Sequence, residues 1–319
     1  MTGVDPTAAA GIAAVVINWN TRDLLARCLE SLRANAPAHR SLEIIVVDNG
    51  STDGSAEYVR TDWPDVRLIA NEKNEGYTRA NNQAIRASTS PYLLLVNADA
   101  FVLPGCIDRL VERLEADDRA GVAAPRLVYG DGSWQRWTAG RAPSLVSAAA
   151  YFLFIERVLS AARRRSLYLA QDVRTAFQPD WVSSACMLVR RAALDDVGLL
   201  NERFVAYMDD VDLCQRMRDG GRSVWYCPEA EATHVMGGST RRRTGRPSPA
   251  AMRSFNRYFR DRNGRAASLA MRGIEAAGFG ARAGALALAG ALRQKEHLRE
   301  RARAHWAYFQ LALEPDRGE

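Results

Sequence analysis

The sequence predicts an α/β protein whose mostly parallel, doubly wound sheet is flanked by helices. Short apolar runs recur along the first half of the chain, and residues 92–96 read Tyr-Leu-Leu-Leu-Val. Runs without polar alternation are typical of parallel strands that helices cover on both faces. Segments with helical spacing separate these runs, and the strand-helix order predicts parallel strands joined by right-handed crossovers.

The elements follow one another in a regular order. We predict strands over residues 13–17, 42–47, 66–70, 92–97, 121–127, 181–190 and 223–227. Helices are predicted after Thr21, with apolar residues at helical spacing from Leu24 to Leu32, and over residues 56–60, 79–87, 104–115 and 191–197. A further helix begins at Asp209, since Val211 and Cys214 can face a core.

Length and composition indicate an ordinary globular protein with a sizeable core. The chain has 319 residues, 47% of them hydrophobic and 25% charged. Its five cysteines are scattered without a CxxC pair, which argues against a disulfide framework or a zinc site and favours a reducing compartment. The start of the sequence lacks a basic signal-peptide region, and no stretch is long enough for a transmembrane helix. We therefore expect a cytoplasmic protein.

The positive charge is concentrated near the C-terminus. From Arg241 onward there are 17 Lys and Arg against 7 Asp and Glu, a net charge of +10. Because the whole chain has a net charge of +6, residues 1–240 have a net charge of −4. We predict that residues 240–319 form a mobile linker, which over residues 239–249 can also be an acceptor-side lid, followed by a basic amphipathic helical tail. A basic amphipathic helix suits an anionic membrane surface, and the alternative is a helix that packs on the catalytic domain or on a second copy in a homodimer. We expect no nucleic-acid partner, because the basic tail contains no recognisable reader motif.

Residues 129–176 form a second segment of unusual character. An apolar stretch at residues 145–155 is followed by three arginines at residues 163–165. This stretch is too short to span a bilayer. It predicts either a segment that rests on an anionic membrane or an ordinary buried helix with a solvated basic end.

Carboxylates and one histidine stand where chemistry is expected. Asp99 follows a buried strand, and the carboxyl end of such a strand faces the crevice where a hard divalent cation can bind. His234 can supply an imidazole ligand to the same metal. Asp209, Asp210 and Asp212 crowd one helical turn, where like charges raise the pKa of at least one member toward that of a general base. The simpler alternative is that these acids only favour the helix dipole.

Two loops predict a nucleotide site. Asp48 ends the second strand, and its carboxylate can accept the imide N–H of a pyrimidine base. Gly76 permits close backbone approach before the helix that contains Arg79, and such a loop suits a phosphate or a base edge. The sequence contains neither GxGxxG nor GxxxxGK[ST], which disfavours a dinucleotide dehydrogenase and a P-loop NTPase.

Together, these segments resemble the inverting GT-A glycosyltransferases of family 2, and most closely their rhamnosyltransferase-like branch. The resemblance covers roughly residues 12–262. The matching segments are Asn-Trp-Asn-Thr at 18–21, Val-Val-Asp-Asn-Gly-Ser-Thr-Asp-Gly-Ser at 46–55, residues 74–82, Asn-Ala-Asp at 97–99, Asp-Asp-Val-Asp-Leu-Cys at 209–214, and His234. Ala98 replaces a proline and Asp209 a glutamate of the family's pattern, and neither change removes a group that the chemistry requires.

The resemblance implies a GT-A (nucleotide-diphospho-sugar transferase) domain over residues 1–239, with a nucleotide-sugar half at about 12–127 and an acceptor half at about 128–239. It implies an enzyme that moves a sugar, with L-rhamnose from dTDP-rhamnose as the first choice, to a hydroxyl of a cell-envelope or polysaccharide acceptor, which can be lipid-linked. A different donor such as a UDP-hexose, a non-catalytic sugar-binding module and a nucleotidyltransferase are the alternatives. The protein is expected in the cytoplasm, with peripheral contact at the inner face of the plasma membrane as an option.

The resemblance also implies residue roles. Asp210 is the expected catalytic base, Asp99 and His234 the ligands of Mn²⁺ or Mg²⁺, and Trp181, Asp209 and Asp212 the neighbours of the base and acceptor. The expected donor-binding residues are Asn18, Trp19, Asn20, Asp48, Asn49, Ser51, Asn74, Gly76, Arg79 and Asn97. The expected partners are a dTDP- or UDP-linked sugar and a glycan or lipid-linked acceptor.

Overall fold

The structure is a computed structural model that describes residues 11–160, 165–169, 171–204, 207–235 and 249–314. The strands within these residues are β1 (Ile12–Asn18), β2 (Leu42–Asp48), β3 (Arg67–Ala70), β4 (Tyr92–Asn97), β5 (Ala100–Val102), β6 (Ala120–Val128), β7 (Ala139–Gly140), β8 (Trp181–Val182), β9 (Cys186–Arg190) and β10 (Ser223–His234). The helices are α1 (Arg22–Ala34), α2 (Ser55–Asp62), α3 (Tyr77–Ala87), α4 (Cys106–Glu115), α5 (Leu145–Phe152), α6 (Ile155–Val158), α7 (Arg191–Val197), α8 (Asp209–Asp219), α9 (Pro249–Leu292) and α10 (Glu296–Leu313).

The main sheet is mixed but mostly parallel, as the sequence predicts. Its eight strands lie in the order β3-β2-β1-β4-β9-β6-β10-β5. The pairs β3-β2, β2-β1, β1-β4 and β6-β10 are parallel, whereas β9 runs antiparallel to both β4 and β6. The carboxyl ends of β1, β2, β4, β6 and β10 therefore face one side, and the amino end of β9 joins them there.

Burial explains why the central strands have continuous apolar sequences. Residues Leu93 to Val96 of β4 are at most 1% exposed, since helices cover both faces of the sheet. On one face, α1 presents Leu25, Leu29 and Leu32, all fully buried, at the spacing from which the helix was predicted. The prediction of a helix-flanked, mostly parallel sheet is confirmed.

Two strand predictions require correction, and one strand of the main sheet was not predicted. Residues 181–190 form two strands, β8 and β9, rather than one, with Ser183–Ala185 between them. Residues 223–234 form one long strand, β10, which has a register shift between Cys227 and Glu231. The sequence did not predict β5, because three residues are too few to establish a period; its register comes from antiparallel pairing with β10.

The chain divides into two compact units. The first comprises residues 1–139 and 171–242, and the second comprises residues 140–170 and 243–319. The sequence assigned residues 140–170 to the acceptor half, whereas the structure groups them with the C-terminal helices. The linker predicted at 240–249 lies almost wholly outside the described residues. Of the three arginines at 163–165, the structure describes Arg165.

Aromatic packing holds together the second unit, residues 140–170 and 243–319, which is called the helical unit below. Phe152 of α5 contacts Phe255 and Phe279 of α9, with ring centroids 6.5 and 5.3 Å apart, and Phe279 stacks on Tyr308 of α10 at 4.9 Å. Most of the apolar stretch at 145–155 is thus the helix α5, which buries Ala148 and Phe152, although Val146 remains 57% exposed. Gly264 is the one residue in α9 with non-helical backbone angles, at a kink between two helical segments, and the helix continues through Gly278, Gly280, Gly284 and Gly290. No helix within the described residues combines the length and apolar character needed to cross a bilayer.

Candidate functional site

The candidate metal pair lies where β4 gives way to β5. The backbone N–H of Asn97 donates to Ala185 O at 3.0 Å, and that of Ala98 donates to Ile17 O at 3.3 Å, so both neighbouring strands hold this turn. Asp99, 8% exposed, follows directly. The side-chain Oδ1 of Asn97 is buried and has no hydrogen-bond partner among the described residues.

The antiparallel pairing of β5 with β10 brings His234 to Asp99. His234 is the register partner of Ala100, and the Val235 N–H donates to Asp99 O at 2.9 Å. As a result, the imidazole Nε2 of His234 lies 3.4 Å from the carboxylate Oδ1 of Asp99. Two residues that are 135 positions apart in the sequence thus present one oxygen and one nitrogen to the same point.

This pair fits a divalent cation. Two ligands of one six-coordinate cation lie about 3 Å apart, close to the separation observed here. A mixed carboxylate and imidazole set suits Mn²⁺ as well as other divalent ions. The described residues include no group of three or more His, Cys, Asp or Glu side chains that could hold a metal ion, so further ligands would have to come from substrate or water.

The candidate base begins helix α8. Asp209 is 3% exposed, and burial together with the neighbouring Asp210 charge raises its pKa to about 8. Burial also raises the pKa of Asp210, to about 6, against the opposing effect of backbone N–H donors from Val211 and Ser184. The Val211 N–H lies 2.8 Å from Asp210 Oδ1. Because the two carboxyl groups interact, they titrate as a pair, and burial raises the pKa of Asp209 further than that of Asp210.

A two-residue segment connects the base to the metal pair. The Ser184 hydroxyl donates to Asp209 Oδ2 at 3.1 Å, while the next residue, Ala185, accepts the Asn97 N–H described above. The hydroxyl of Tyr77 donates to Ser184 O at 3.1 Å. Ser184 and Tyr77 therefore fix the position of the Asp209–Asp210 pair relative to the Asp99–His234 pair. Sequence reasoning missed Ser184, because the single strand predicted over 181–190 concealed the turn that contains it.

The other two neighbours of the base have different surroundings. Asp212 forms an ion pair with Arg216, Oδ2 to Nε 2.8 Å, one helical turn further along α8. Trp181, 6% exposed, lies in β8, the strand on which α8 packs. Of the three acids expected to crowd this turn, Asp212 thus has a cationic partner, whereas the negative charges of Asp209 and Asp210 act on each other.

The first predicted donor loop is organised by its own side chains. Asp48 is 2% exposed; Oδ1 accepts from Asn18 Nδ2 at 2.8 Å and Oδ2 from the Ser51 N–H at 3.0 Å. The Asn20 N–H donates to Ser51 Oγ at 2.8 Å. Each Asp48 oxygen can accept one more hydrogen bond, which is the capacity that a base N–H would use.

The second donor loop is joined to the first through Asn49. Its Nδ2 donates to Asn74 Oδ1 at 3.0 Å and to Gly76 O at 3.3 Å. Gly76 has a φ of 89°, which favours glycine. Arg79 pairs with Glu75 and Glu202 at 2.8 and 3.3 Å, with its side chain 53% exposed, so it is already occupied by carboxylates in this structure. Trp19, which directly follows β1, is half-buried.

Comparison with known proteins identifies the class. The family described as Glycosyl transferase family 2 matches residues 13–198, more than half of the chain. The chain therefore belongs to glycosyl transferase family 2, and its fold is the GT-A fold that the sequence resemblance implied.

The relatives favour the rhamnosyltransferase-like branch. The chain is 30% identical, over 244 residues, to an N-acetylglucosaminyl-diphospho-decaprenol L-rhamnosyltransferase of Mycobacterium tuberculosis, covering 72% of this chain and 77% of the relative. It is also 28% identical over 228 residues to the succinoglycan biosynthesis protein ExoU of Rhizobium meliloti, covering 69% of this chain and 60% of that protein. The predicted family and branch are confirmed.

Solved structures share the fold at low sequence identity. A mannosyltransferase from Pyrobaculum calidifontis, in complex with GDP-Man and Mn²⁺, aligns with a TM-score of 0.54 and 18% identity over 97% of this chain and 87% of that one. GalNAc-T7 with UDP, GalNAc and Mn²⁺ aligns with a TM-score of 0.53 and 14% identity over 70% of this chain and 44% of that one. Both matches support the GT-A architecture.

The acid pair predicts an unusual pH dependence of stability. The folded-state pKa of Asp209 lies above its unfolded value of 3.8, so between 3.8 and about 8 the folded protein holds more protons than the unfolded chain, and stability falls as pH rises. Asp209→Asn removes this ionisation while keeping an oxygen for Ser184. At about pH 9, we expect the free energy of unfolding of the variant to exceed that of wild type, with a difference on the order of 2 kcal/mol. Urea denaturation measures this difference.

The stability difference should shrink as the pH falls to about 3, below the unfolded-state pKa, where Asp209 is protonated in both states. Asp219→Asn, the same chemical change at the exposed end of α8, is the matched control and should show little pH dependence. An Asp209→Asn effect of equal size at both pH values would contradict the raised pKa.

Proposed function

We propose that the chain transfers a sugar from a nucleoside-diphosphate donor to an acceptor hydroxyl with inversion at the anomeric carbon, and that the preferred donor is dTDP-rhamnose. The observation that supports this most directly is the placement of two chemically different groups at one edge of the sheet. The Asp99–His234 pair and the Asp209–Asp210 pair are separated by the short segment Ser184–Ala185. Membership of glycosyl transferase family 2 supports the same reaction.

Asp210 is the proposed catalytic base. Its carboxylate is aimed by the Val211 N–H and remains partly exposed, so an acceptor hydroxyl can reach it. Burial raises the pKa of Asp209 further than that of Asp210, so Asp210 is the member of the pair that ionises more readily. Removal of the hydroxyl proton by Asp210 would allow the acceptor oxygen to attack opposite the departing diphosphate, which inverts the carbon.

Asp99 and His234 are the proposed ligands of a Mn²⁺ or Mg²⁺ ion. A bound divalent cation supplies electrostatic stabilisation of the negative charge that develops on the departing diphosphate. The partly buried position of both side chains, 11% and 12% exposed, strengthens their attraction for a cation because little water screens them.

The two donor loops are proposed to hold the nucleotide. Asp48 would accept the imide N–H of thymine or uracil with a lone pair left free by Asn18 and Ser51. The Asn49 cross-link keeps the Gly76 loop against this site. A pyrimidine shared by dTDP and UDP explains why a UDP-hexose is the second candidate donor.

Asp210→Asn tests the assignment of the base. We expect kcat to fall by about 10³-fold or more, because an amide cannot accept the proton, while the affinity for the donor nucleotide stays within about threefold. Transfer is measured by release of the nucleoside diphosphate and donor binding by calorimetry. Asp219→Asn should behave as wild type, and near-normal turnover of Asp210→Asn would refute the role.

A panel of nucleotide sugars tests the donor. With Mn²⁺ or Mg²⁺ present and no acceptor, we expect slow hydrolysis of dTDP-rhamnose to exceed that of UDP-hexoses and GDP-mannose by about tenfold or more in kcat/KM. A preference for a UDP-hexose would replace the donor and keep the reaction. Binding without any hydrolysis or transfer would favour a sugar-binding module, and diphosphate release from a nucleoside triphosphate plus a sugar phosphate would favour a nucleotidyltransferase.

The proposed acceptor is a lipid-linked glycan presented at an anionic membrane. The first relative described above acts, by its name, on a decaprenol-linked diphosphate sugar. The helical unit carries 20 Lys and Arg against 8 Asp and Glu, a net charge of +12, and exposes Val158 and Leu159 by 82% and 56%. Basic charge beside exposed apolar side chains is typical of peripheral membrane contact.

Co-sedimentation of the full chain with vesicles tests this contact. We expect binding to vesicles containing anionic lipid, little binding to neutral vesicles, and release as salt rises from about 0.1 M to about 1 M. The double variant Val158→Ser, Leu159→Ser should weaken binding to the anionic vesicles. Equal partitioning to neutral and anionic vesicles would contradict the proposal.

A further inference from the structure

Gln135 is a buried amide placed between the ends of two strands. It is 0% exposed, and its backbone N–H donates to Leu127 O of β6 at 3.0 Å. On its other side lies His234, the last residue of β10. Neither the sequence pattern nor the proposed reaction assigns Gln135 a role.

The side-chain amide of Gln135 has only one satisfactory orientation. Its Nε2 donates to two backbone carbonyls, Val128 O at 3.2 Å and His234 O. Rotating the amide by 180° would place its oxygen against both carbonyl oxygens, so that acceptors would face acceptors. The amide oxygen, Oε1, must therefore face the remaining neighbour.

That neighbour is the imidazole of His234, whose Nδ1 lies 3.1 Å from Gln135 Oε1. Because an amide oxygen can only accept, Nδ1 must carry the proton. In the neutral ring this leaves the lone pair on Nε2, the atom that lies 3.4 Å from Asp99 Oδ1. Two hydrogen-bond acceptors then face each other across the space where a cation would be attracted to both.

We infer that Gln135 is a positioning residue that fixes His234 in the Nδ1–H tautomer, so that the Nε2 lone pair and the Asp99 carboxylate form a ready cation-binding pair. The inference rests on the proposed function in taking Asp99 and His234 as metal ligands. Ligating histidines commonly donate their second N–H to such a partner, whose loss lowers metal affinity by roughly 10- to 100-fold. Gln135 acts through His234 and does not itself contact substrate.

The competing explanation is that Gln135 only joins the ends of β6 and β10 through their carbonyls. It predicts that replacing Gln135 lowers stability while the ring tautomer and the metal affinity stay the same. The two explanations therefore differ in quantities that do not depend on turnover.

The first test is a ¹⁵N NMR measurement of the His234 ring in metal-free full-length protein at about pH 8. The chain has four histidines, so the His234 signals are assigned by their loss in His234→Ala. We expect the Nδ1–H tautomer in wild type and a shift toward Nε2–H in Gln135→Met, which keeps the length of the side chain and removes the acceptor. A wild-type ring that carries a proton on Nε2 would overturn the inference, whatever the variant does.

The second test is the affinity for Mn²⁺ alone, measured by EPR of the free ion. Gln135→Met should weaken binding by roughly 10- to 100-fold, and Gln135→Glu, which restores an acceptor oxygen, should recover part of it. Gln215→Met is the matched control, since Gln215 is also buried, at 6% exposure, and donates to one backbone carbonyl, Asp180 O, at 2.8 Å. Unchanged tautomer and Mn²⁺ affinity in Gln135→Met, with only a lower melting temperature, would overturn the inference.

The outcomes separate this inference from the proposed function. If His234→Ala binds Mn²⁺ as wild type does, the assignment of the metal ligands fails, while the NMR experiment still decides whether Gln135 sets the tautomer. If Gln135→Met does not fold, the wild-type tautomer and the Gln135→Glu variant decide the question.

Discussion

The assembly of the site depends on the antiparallel pairing of β9 with β4, which ends in the hydrogen bond from the Asn97 N–H to Ala185 O. An antiparallel neighbour starts where its partner ends. The turn before β9 therefore lies beside the turn after β4, and Ser184 can contact the acids of α8 while Asp99 follows within two residues of Asn97. A parallel strand at this place would put Ser184 at the opposite edge of the sheet and leave the two groups of carboxylates apart.

Burial and local hydrogen-bond donors have opposite effects on the ionisation of the acids of α8. Desolvation disfavours charge on both Asp209 and Asp210, whereas the N-terminal end of the helix and its backbone N–H groups favour it. The approach to this helix is strained, because Tyr207 and Met208 both have left-handed backbone angles, with φ of 65° and 67°. Such strain costs on the order of 1 to 3 kcal/mol per residue and is typical of functional turns.

The proposed nucleotide-binding side of the sheet is built differently from the proposed metal-binding side. Asp48 and Asn49 are almost fully buried and bonded within their loops, so the loops are shaped before any ligand arrives. Asp99 and His234 instead face each other with two potential ligand atoms. In the proposed function, the preorganised loops would provide specificity for a base, while the pair of facing ligand atoms would provide attraction for a cation.

The sequence alone determined the fold class, the first four strands with their helices, and the family. These features depend on local patterns, because a strand covered on both faces needs a continuous apolar run and a helix needs its 3.6-residue spacing. Most of the candidate site residues were also named from the sequence. The acids that follow buried strands stand out among apolar neighbours, and most of the donor-binding residues follow from the family resemblance.

Only the tertiary structure decided which of these residues meet and what holds them. The split of residues 181–190 into two strands, the three-residue strand β5 and the grouping of residues 140–170 with the C-terminal helices all result from contacts between distant segments. The same is true of Ser184 and Gln135, whose roles depend on hydrogen bonds to residues 25 and 99 positions away. A sequence pattern records which surfaces a segment buries, but pairing across such distances is chosen by the strand order of the whole sheet.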